Sequence, residues 1–145
     1  MPAGAPCISP IRTSTRFLRT TLIMSREISN KRVFATTQAP AFPDGSAVDA
    51  EGFLWNAQYN GWRVVRYAPD GRIDRVVELP VKRPTCCAFG GPDLQTFYIT
   101  TAQLTPASQP MSAEELAGQP QAGALFALET GVRGRVEPQF QTAAT

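Results

Sequence analysis

Twelve acidic side chains and no histidine set the chemistry open to this chain of 145 residues. Without an imidazole there is no Ser-His-Asp or Cys-His arrangement and no histidine-ligated zinc. Proton transfer falls to carboxylates, and any metal must be held by oxygen ligands, which favours hard cations such as calcium or magnesium. Asp44, in Pro43-Asp44-Gly45, is the carboxylate of most interest. Taken locally it reads as a turn aspartate that bonds its own backbone ahead of a glycine. Asp49 and Glu51 read as a solvated hairpin, and Asp70 and Asp93 as turn residues. Cys86 and Cys87 are adjacent, so a disulfide between them would be strained. Strand alternation sends one of these thiols into the core and predicts that both are free.

The elements that position these residues repeat. A first unit runs Pro43 to Pro80 and a second starts at Thr85, about forty residues after the first. Short β-branched and aromatic runs alternate with Asp-Gly, Gly-Gly-Pro-Asp and Pro-Asp-Gly turns. Strands are expected at Lys31–Thr36, Ser46–Asp49, Phe53–Tyr59, Trp62–Tyr67, Arg72–Leu79, Thr85–Ala88, Phe97–Thr101 and Ala124–Leu128. Asp70-Gly71 reads as a hairpin turn, because glycine supplies positive φ. Trp62–Tyr67, with Arg63 and Arg66, reads as a wet outer strand. Trp55, Tyr59, Trp62 and Tyr67 read as packing residues rather than a sugar platform. One helix is predicted, where Ser112 caps and Glu115 stands three residues on, before Gly118 stops it. About four strands per repeat is the mark of a β-propeller blade, so the fold class is all-β, a partial β-propeller of about two blades.

Bulk properties agree and exclude other classes. The chain is 43% hydrophobic and only 18% charged, with 13 prolines and 11 glycines, which suits a turn-rich β protein. A formal charge of +2 is too small to imply nucleic acid or an acidic membrane surface. No run approaches membrane-spanning length, so no membrane association is expected. Three cysteines do not make a disulfide framework, and a reducing cytoplasm is the expected compartment.

Several motifs resemble one family in order and spacing. They are Pro43-Asp44-Gly45, Asp49-x-Glu51-Gly52-x-Leu54-Trp55, Asn60-Gly61-x-Arg63-Val64, Cys87-x-Phe89-Gly90-Gly91, Ser112 to Phe126, and Gly131-x-Arg133-Gly134. Over residues 27–140 the chain resembles the regucalcin/gluconolactonase family of sugar lactonases. The resemblance implies a six-bladed propeller that hydrolyses a small-molecule sugar lactone. It also implies one divalent cation (calcium, zinc, magnesium or manganese) on the central axis, and Asp44 as both metal ligand and catalytic proton acceptor. The other ligands implied are a glutamate near the family's N-terminus and an asparagine in mid-chain. Those residues and the sugar contacts fall outside this chain, so its substrate-binding residues are unknown, and little or no lactonase activity is expected of it alone.

Three regions follow: 1–26 without the resemblance, 27–140 carrying it, and a tail at 141–145. The first is irregular by its prolines and contains no acidic residue. Arg12, Arg16, Arg19 and Arg26 suit a mitochondrial transit peptide, while Pro2, Pro6 and Pro10 oppose its amphipathic helix. Read one base out of frame, Cys7 to Met24 can encode a strand-turn-strand peptide containing Thr-Asp-Ser and Tyr-Asp-Phe-Asp, which points to a frameshifted translation. Open blade edges would allow self-association. The alternative function is a non-catalytic propeller-type interaction module.

Overall fold

Alternating side chains, each sent to one face of a strand or the other, give three antiparallel sheets in the computed structural model. It describes residues 6–10, 16–22, 28–103 and 110–137, with side chains from Lys31 onward. The central sheet is a four-stranded meander, β4 (Phe42–Val48), β5 (Leu54–Tyr59), β6 (Arg63–Tyr67) and β7 (Ile73–Glu78), in that spatial order. On one side lies the sheet β1 (Pro6–Pro10), β2 (Arg16–Leu22) and β3 (Ile28–Thr36). On the other lies β8 (Pro84–Gly90), β9 (Thr96–Thr101) and β10 (Leu125–Glu129), in the order β10-β9-β8. The architecture is all-β and has the form of a partial propeller, as the repeat predicts.

The middle strands of the central sheet, β5 and β6, are buried on both faces, and their sequence shows why. Trp55, Ala57 and Val64 pack with Cys87, Phe97 and Ile99 of the β8–β10 sheet. The alternate residues Leu54, Val65 and Tyr67 pack with Phe34 and Ala35 of β3. An isolated blade would leave both sets in water. Burying a large apolar side chain contributes about 1.5–3 kcal/mol, so the stacking of sheets is the main stabilising term. Phe89, Phe97 and Trp55 form an aromatic cluster at that interface, with ring centroids 4.6–5.9 Å apart.

The strand Trp62–Tyr67 departs from its sequence reading. It is not a wet outer strand: Val64, Val65, Arg66 and Tyr67 are all buried, and β7 rather than β6 forms the outer edge. Trp62, read as packing, is instead 39% exposed at a turn. The Asp70-Gly71 turn is as expected, with Gly71 at φ +90° and its N–H donating to Ala68 O. The predicted helix is α1 (Ala113–Ala117), with both hydrogen bonds of the capping box formed between Ser112 and Glu115.

Strands β1 and β2 lie within the segment read as irregular. β2 pairs with β3 through register shifts. Backbone pairing to an open edge depends little on side-chain type, which is how a proline- and threonine-rich sequence can take strand form. Residues 1–5, 11–15, 23–27, 104–109 and 138–145 lie outside the described residues, and with them parts of the transit-peptide and frameshift readings and the 141–145 tail. Among the described residues no helix is long and apolar enough to cross a membrane.

Candidate active site at the inner strand

β4 is the edge strand of the central sheet whose backbone approaches both neighbouring sheets, meeting β8 on one side and β1 and β2 on the other. It is therefore the inner strand of its blade. Asp44 stands in an irregularity of β4: Pro43 pairs with Gln58 and Ser46 with Asn56, so two residues, Asp44 and Gly45, oppose one. Such a bulge re-aims side chains and is common beside active sites. Asp44 is half-buried.

Asn56 fixes the bulge. Its amide Nδ2 donates to Asp44 O at 2.9 Å, to Ser46 Oγ at 2.9 Å and to Gly45 O at 3.3 Å. Asn56 is fully buried, and its Oδ1 has no hydrogen-bond partner among the described residues. Gly45 has a separate reason for its type. A Cβ there would stand 2.4 Å from Cys86 Sγ and 2.7 Å from Cys86 Cα, so only glycine lets β8 approach. β8 has its own one-residue irregularity between Pro84 and Cys86. The position matching Asp44 carries Thr85, whose hydroxyl lies 2.8 Å from that of Thr100.

The thiols divide as alternation predicts: Cys86 is exposed, Cys87 is buried, and both are free. Burial pushes the Cys87 thiol well above its ordinary value, with the neighbouring Cys86 adding to the rise. Cys87 is a packing residue, not a nucleophile.

Register decides which acids share an end with Asp44. Phe42 pairs with Tyr59, Arg63 with Glu78 and Pro84 with Thr101. The Asn60–Trp62 turn, the link at 79–83 and the insertion carrying α1 therefore lie at Asp44's end. There Asn60 and Trp62 hold positive φ, the Lys82 ammonium pairs with Glu115 at 2.7 Å, and Arg83 Nε donates to Asn60 Oδ1 at 3.1 Å. Arg83 is buried beneath the ring of Tyr59.

Asp49, Glu51, Asp70 and Asp93 lie at the opposite end, so none of them joins Asp44. The solvated-hairpin reading of Asp49 is corrected: it is fully buried. Its Oδ1 accepts from Glu51 N and Phe53 N, while its Oδ2 accepts from Trp55 Nε1 and Arg66 Nε at 2.9 Å each. Arg66 also reaches Glu51 at 2.6 Å and Asp74 at 2.8 Å and lies 3.8 Å from the ring centroid of Phe53. Burial alone would lower the Arg66 pKa, but these hydrogen bonds hold it above the ordinary arginine value. The cluster and Asp44 thus lie at opposite ends of the blade. Among the described residues, no group of three or more His, Cys, Asp or Glu side chains is placed to hold a metal ion.

Comparison with known proteins settles the ancestry. A model of the SMP-30/Gluconolactonase/LRE-like region matches residues 15–103, well over half of the chain. The chain belongs to the SMP-30/gluconolactonase family. The match begins inside the segment that carries no resemblance by motif. Within the family, the chain is 46% identical over 98 residues to a 6-deoxy-6-sulfogluconolactonase of Pseudomonas putida, covering 68% of this chain and 32% of that one. It is 40% identical over 115 residues to regucalcin of Gallus gallus, covering 77% and 37% respectively. A solved regucalcin of Agrobacterium tumefaciens, described as a calcium-binding protein, superposes with a TM-score of 0.75 at 32% identity, over 90% of this chain and 43% of that one. The chain thus spans about a third of the length of the curated relatives that it matches.

Proposed function

We propose that this chain supplies the Asp44-bearing part of a sugar lactone hydrolase and is impaired or inactive by itself. Asp44 is the group that takes the proton from water as the water's oxygen adds to the lactone carbonyl. Collapse of the adduct breaks the ring C–O bond, and the proton passes to the ring oxygen to give the open hydroxy acid. The observation that carries this reading is the placement of Asp44. It stands in a clamped bulge on the inner strand, at the motif position the family match covers, away from every acid of the Asp49 cluster. Relatives named for lactone hydrolysis support a sugar lactone as the substrate class.

The family reading also brings a divalent cation, with calcium supported by the description of the Agrobacterium protein. The described residues do not fit a complete site for it. Asp44 is one carboxylate, whereas calcium takes about six to eight oxygens. No step is therefore assigned to a metal, and Asp44 would be one donor of a larger set. That shortfall also favours the second reading, a non-catalytic interaction module.

A chimera separates the two. The matching portion of the Pseudomonas putida lactonase is replaced by residues 28–137 of this chain, and hydrolysis of that enzyme's lactone is followed. Retained turnover is expected. A folded chimera without turnover would favour the module.

A further inference from the structure

Asn56 occupies a place where a strand core favours an apolar side chain. It lies between Trp55 and Ala57 on β5 and, like them, is fully buried. Two residues on, the amide of Gln58 is used at both ends. Its Nε2 donates to the Tyr67 hydroxyl and its Oε1 accepts from Arg63 Nε, each at 2.8 Å. Asn56 differs. Its Nδ2 donates to Asp44 O, Gly45 O and Ser46 Oγ, while its Oδ1 is buried without a hydrogen-bond partner among the described residues. An acceptor left in this way is destabilising, and an apolar side chain of similar size would remove it. What an apolar side chain cannot do is donate.

All three donated bonds end on the bulge that carries Asp44. A bulge disrupts the ladder and leaves its extra residue without a regular partner. Here Asn56 supplies a donor to the carbonyls of both residues in it, Asp44 and Gly45. The pairing of Pro43 with Gln58 holds the chain just before Asp44, and Cys86 of β8 leaves no room for a Cβ at Gly45 just after it. The backbone at Asp44 is therefore fixed from both sides, and the backbone sets the direction of its Cα–Cβ bond.

We propose that Asn56 is a positioning residue for the Asp44 carboxylate. It holds the bulge in the one shape that places Asp44 against the attacking water, and its unpartnered Oδ1 is the stability given up for that placement. The role rests on the function given to Asp44 above. A general base works only within hydrogen-bond reach of the proton it takes, so a small displacement of the strand is felt in the rate.

Two measurements test it. In the full chain, amide hydrogen exchange reads the clamp itself. Asn56→Leu should quicken exchange along β4 and leave the Glu51 and Phe53 N–H groups, bonded to Asp49 at the other end, at the parent rate. Unchanged exchange along β4 overturns the clamp. In the Pseudomonas chimera, Asn56→Leu should lower kcat by about 10–10²-fold, the scale of a misplaced catalytic group. KM should change by no more than about twofold, because substrate binding is not what Asn56 serves. Ser46→Ala, which removes one of the three bonds and is milder for folding, should lower kcat in the same sense by less. The deciding comparison adds Asn56→Leu to Asp44→Asn, where it should have no further effect on kcat. An equal fall in both backgrounds, or turnover unchanged by both Asn56→Leu and Ser46→Ala, overturns the positioning role and leaves that of Asp44 standing. An Asp44→Asn chimera as active as its parent, or a folded parent chimera without turnover, overturns the role of Asp44 and the positioning role with it.

Discussion

Asp44 and Asp49, five residues apart, do opposite work because the backbone sends them to opposite ends of one blade. Asp49 is fully enclosed and satisfied by two backbone N–H groups, the Trp55 indole and the Arg66 guanidinium. Removing it takes the acceptor from two backbone N–H groups, the Trp55 indole and the Arg66 Nε, while Glu51 and Asp74 still pair Arg66, so Asp49→Ala is expected to destabilise by about 1–3 kcal/mol or more in chemical denaturation. Asn56→Ala removes the clamp on the bulge. A loss of about 1–3 kcal/mol is expected, the range for breaking a buried hydrogen-bonding group. The thiols give a test by labelling: in the native protein Cys86 should react with iodoacetamide and Cys87 should not, as read by peptide mass spectrometry. Labelling of Cys87 at the same rate would contradict its burial. Alternation alone was enough to separate these two cysteines. It was not enough for Arg66, because Arg63-Val64-Val65-Arg66 looks like a strand with a wet face. What buries Arg66 is a carboxylate seventeen positions earlier, a pairing that no local pattern carries. Asn56 was missed for a similar reason, since an amide within an apolar strand signals nothing until the bulge it clamps is known.

Among the elements, the strands of the central blade were legible because period-two alternation and glycine turns mark them. Their ends moved by at most four residues; β4 starts at Phe42 rather than Ser46, since a bulge breaks the alternation that defines a strand in sequence. The close approach of β4 and β8 was invisible, as nothing near Gly45 announces Cys86. Gly45→Ala is expected to force the two inner strands apart and cost about 1–3 kcal/mol, the range for overpacking. An unchanged melting temperature would contradict the contact. The α1 capping box was read directly, as its partners are three residues apart. Its tether to the blade has a pH dependence. The hydrogen bond from Lys82, aided by the Ser112 backbone N–H, holds the Glu115 carboxyl below its ordinary value. A depressed carboxylate contributes stability above its unfolded pKa and loses it as pH falls through the folded value. Amide exchange in α1 should therefore quicken on acidification before that of β5 and β6 does.

At the scale of the molecule, stacking sheets face to face explains both what the chain achieves and what it leaves open. The central blade has a complete core because neighbours exist on both sides, whereas the β8–β10 sheet ends in an exposed apolar face. The repeat of about forty residues made the propeller architecture readable. It did not reveal a third sheet, since β1 and β2 carry no matching motif and depend on β3 for their pairing. The proposed function draws on the same geometry, a bulge on the inner strand that carries Asp44. The most direct measurement is the turnover of the Pseudomonas chimera with Asp44 intact and with Asp44→Asn. A fall of about 10²–10⁴-fold in kcat, the range for loss of a general base, with unchanged folding is the predicted result. Hydrolysis by the Asp44→Asn chimera within a few-fold of its parent would contradict it.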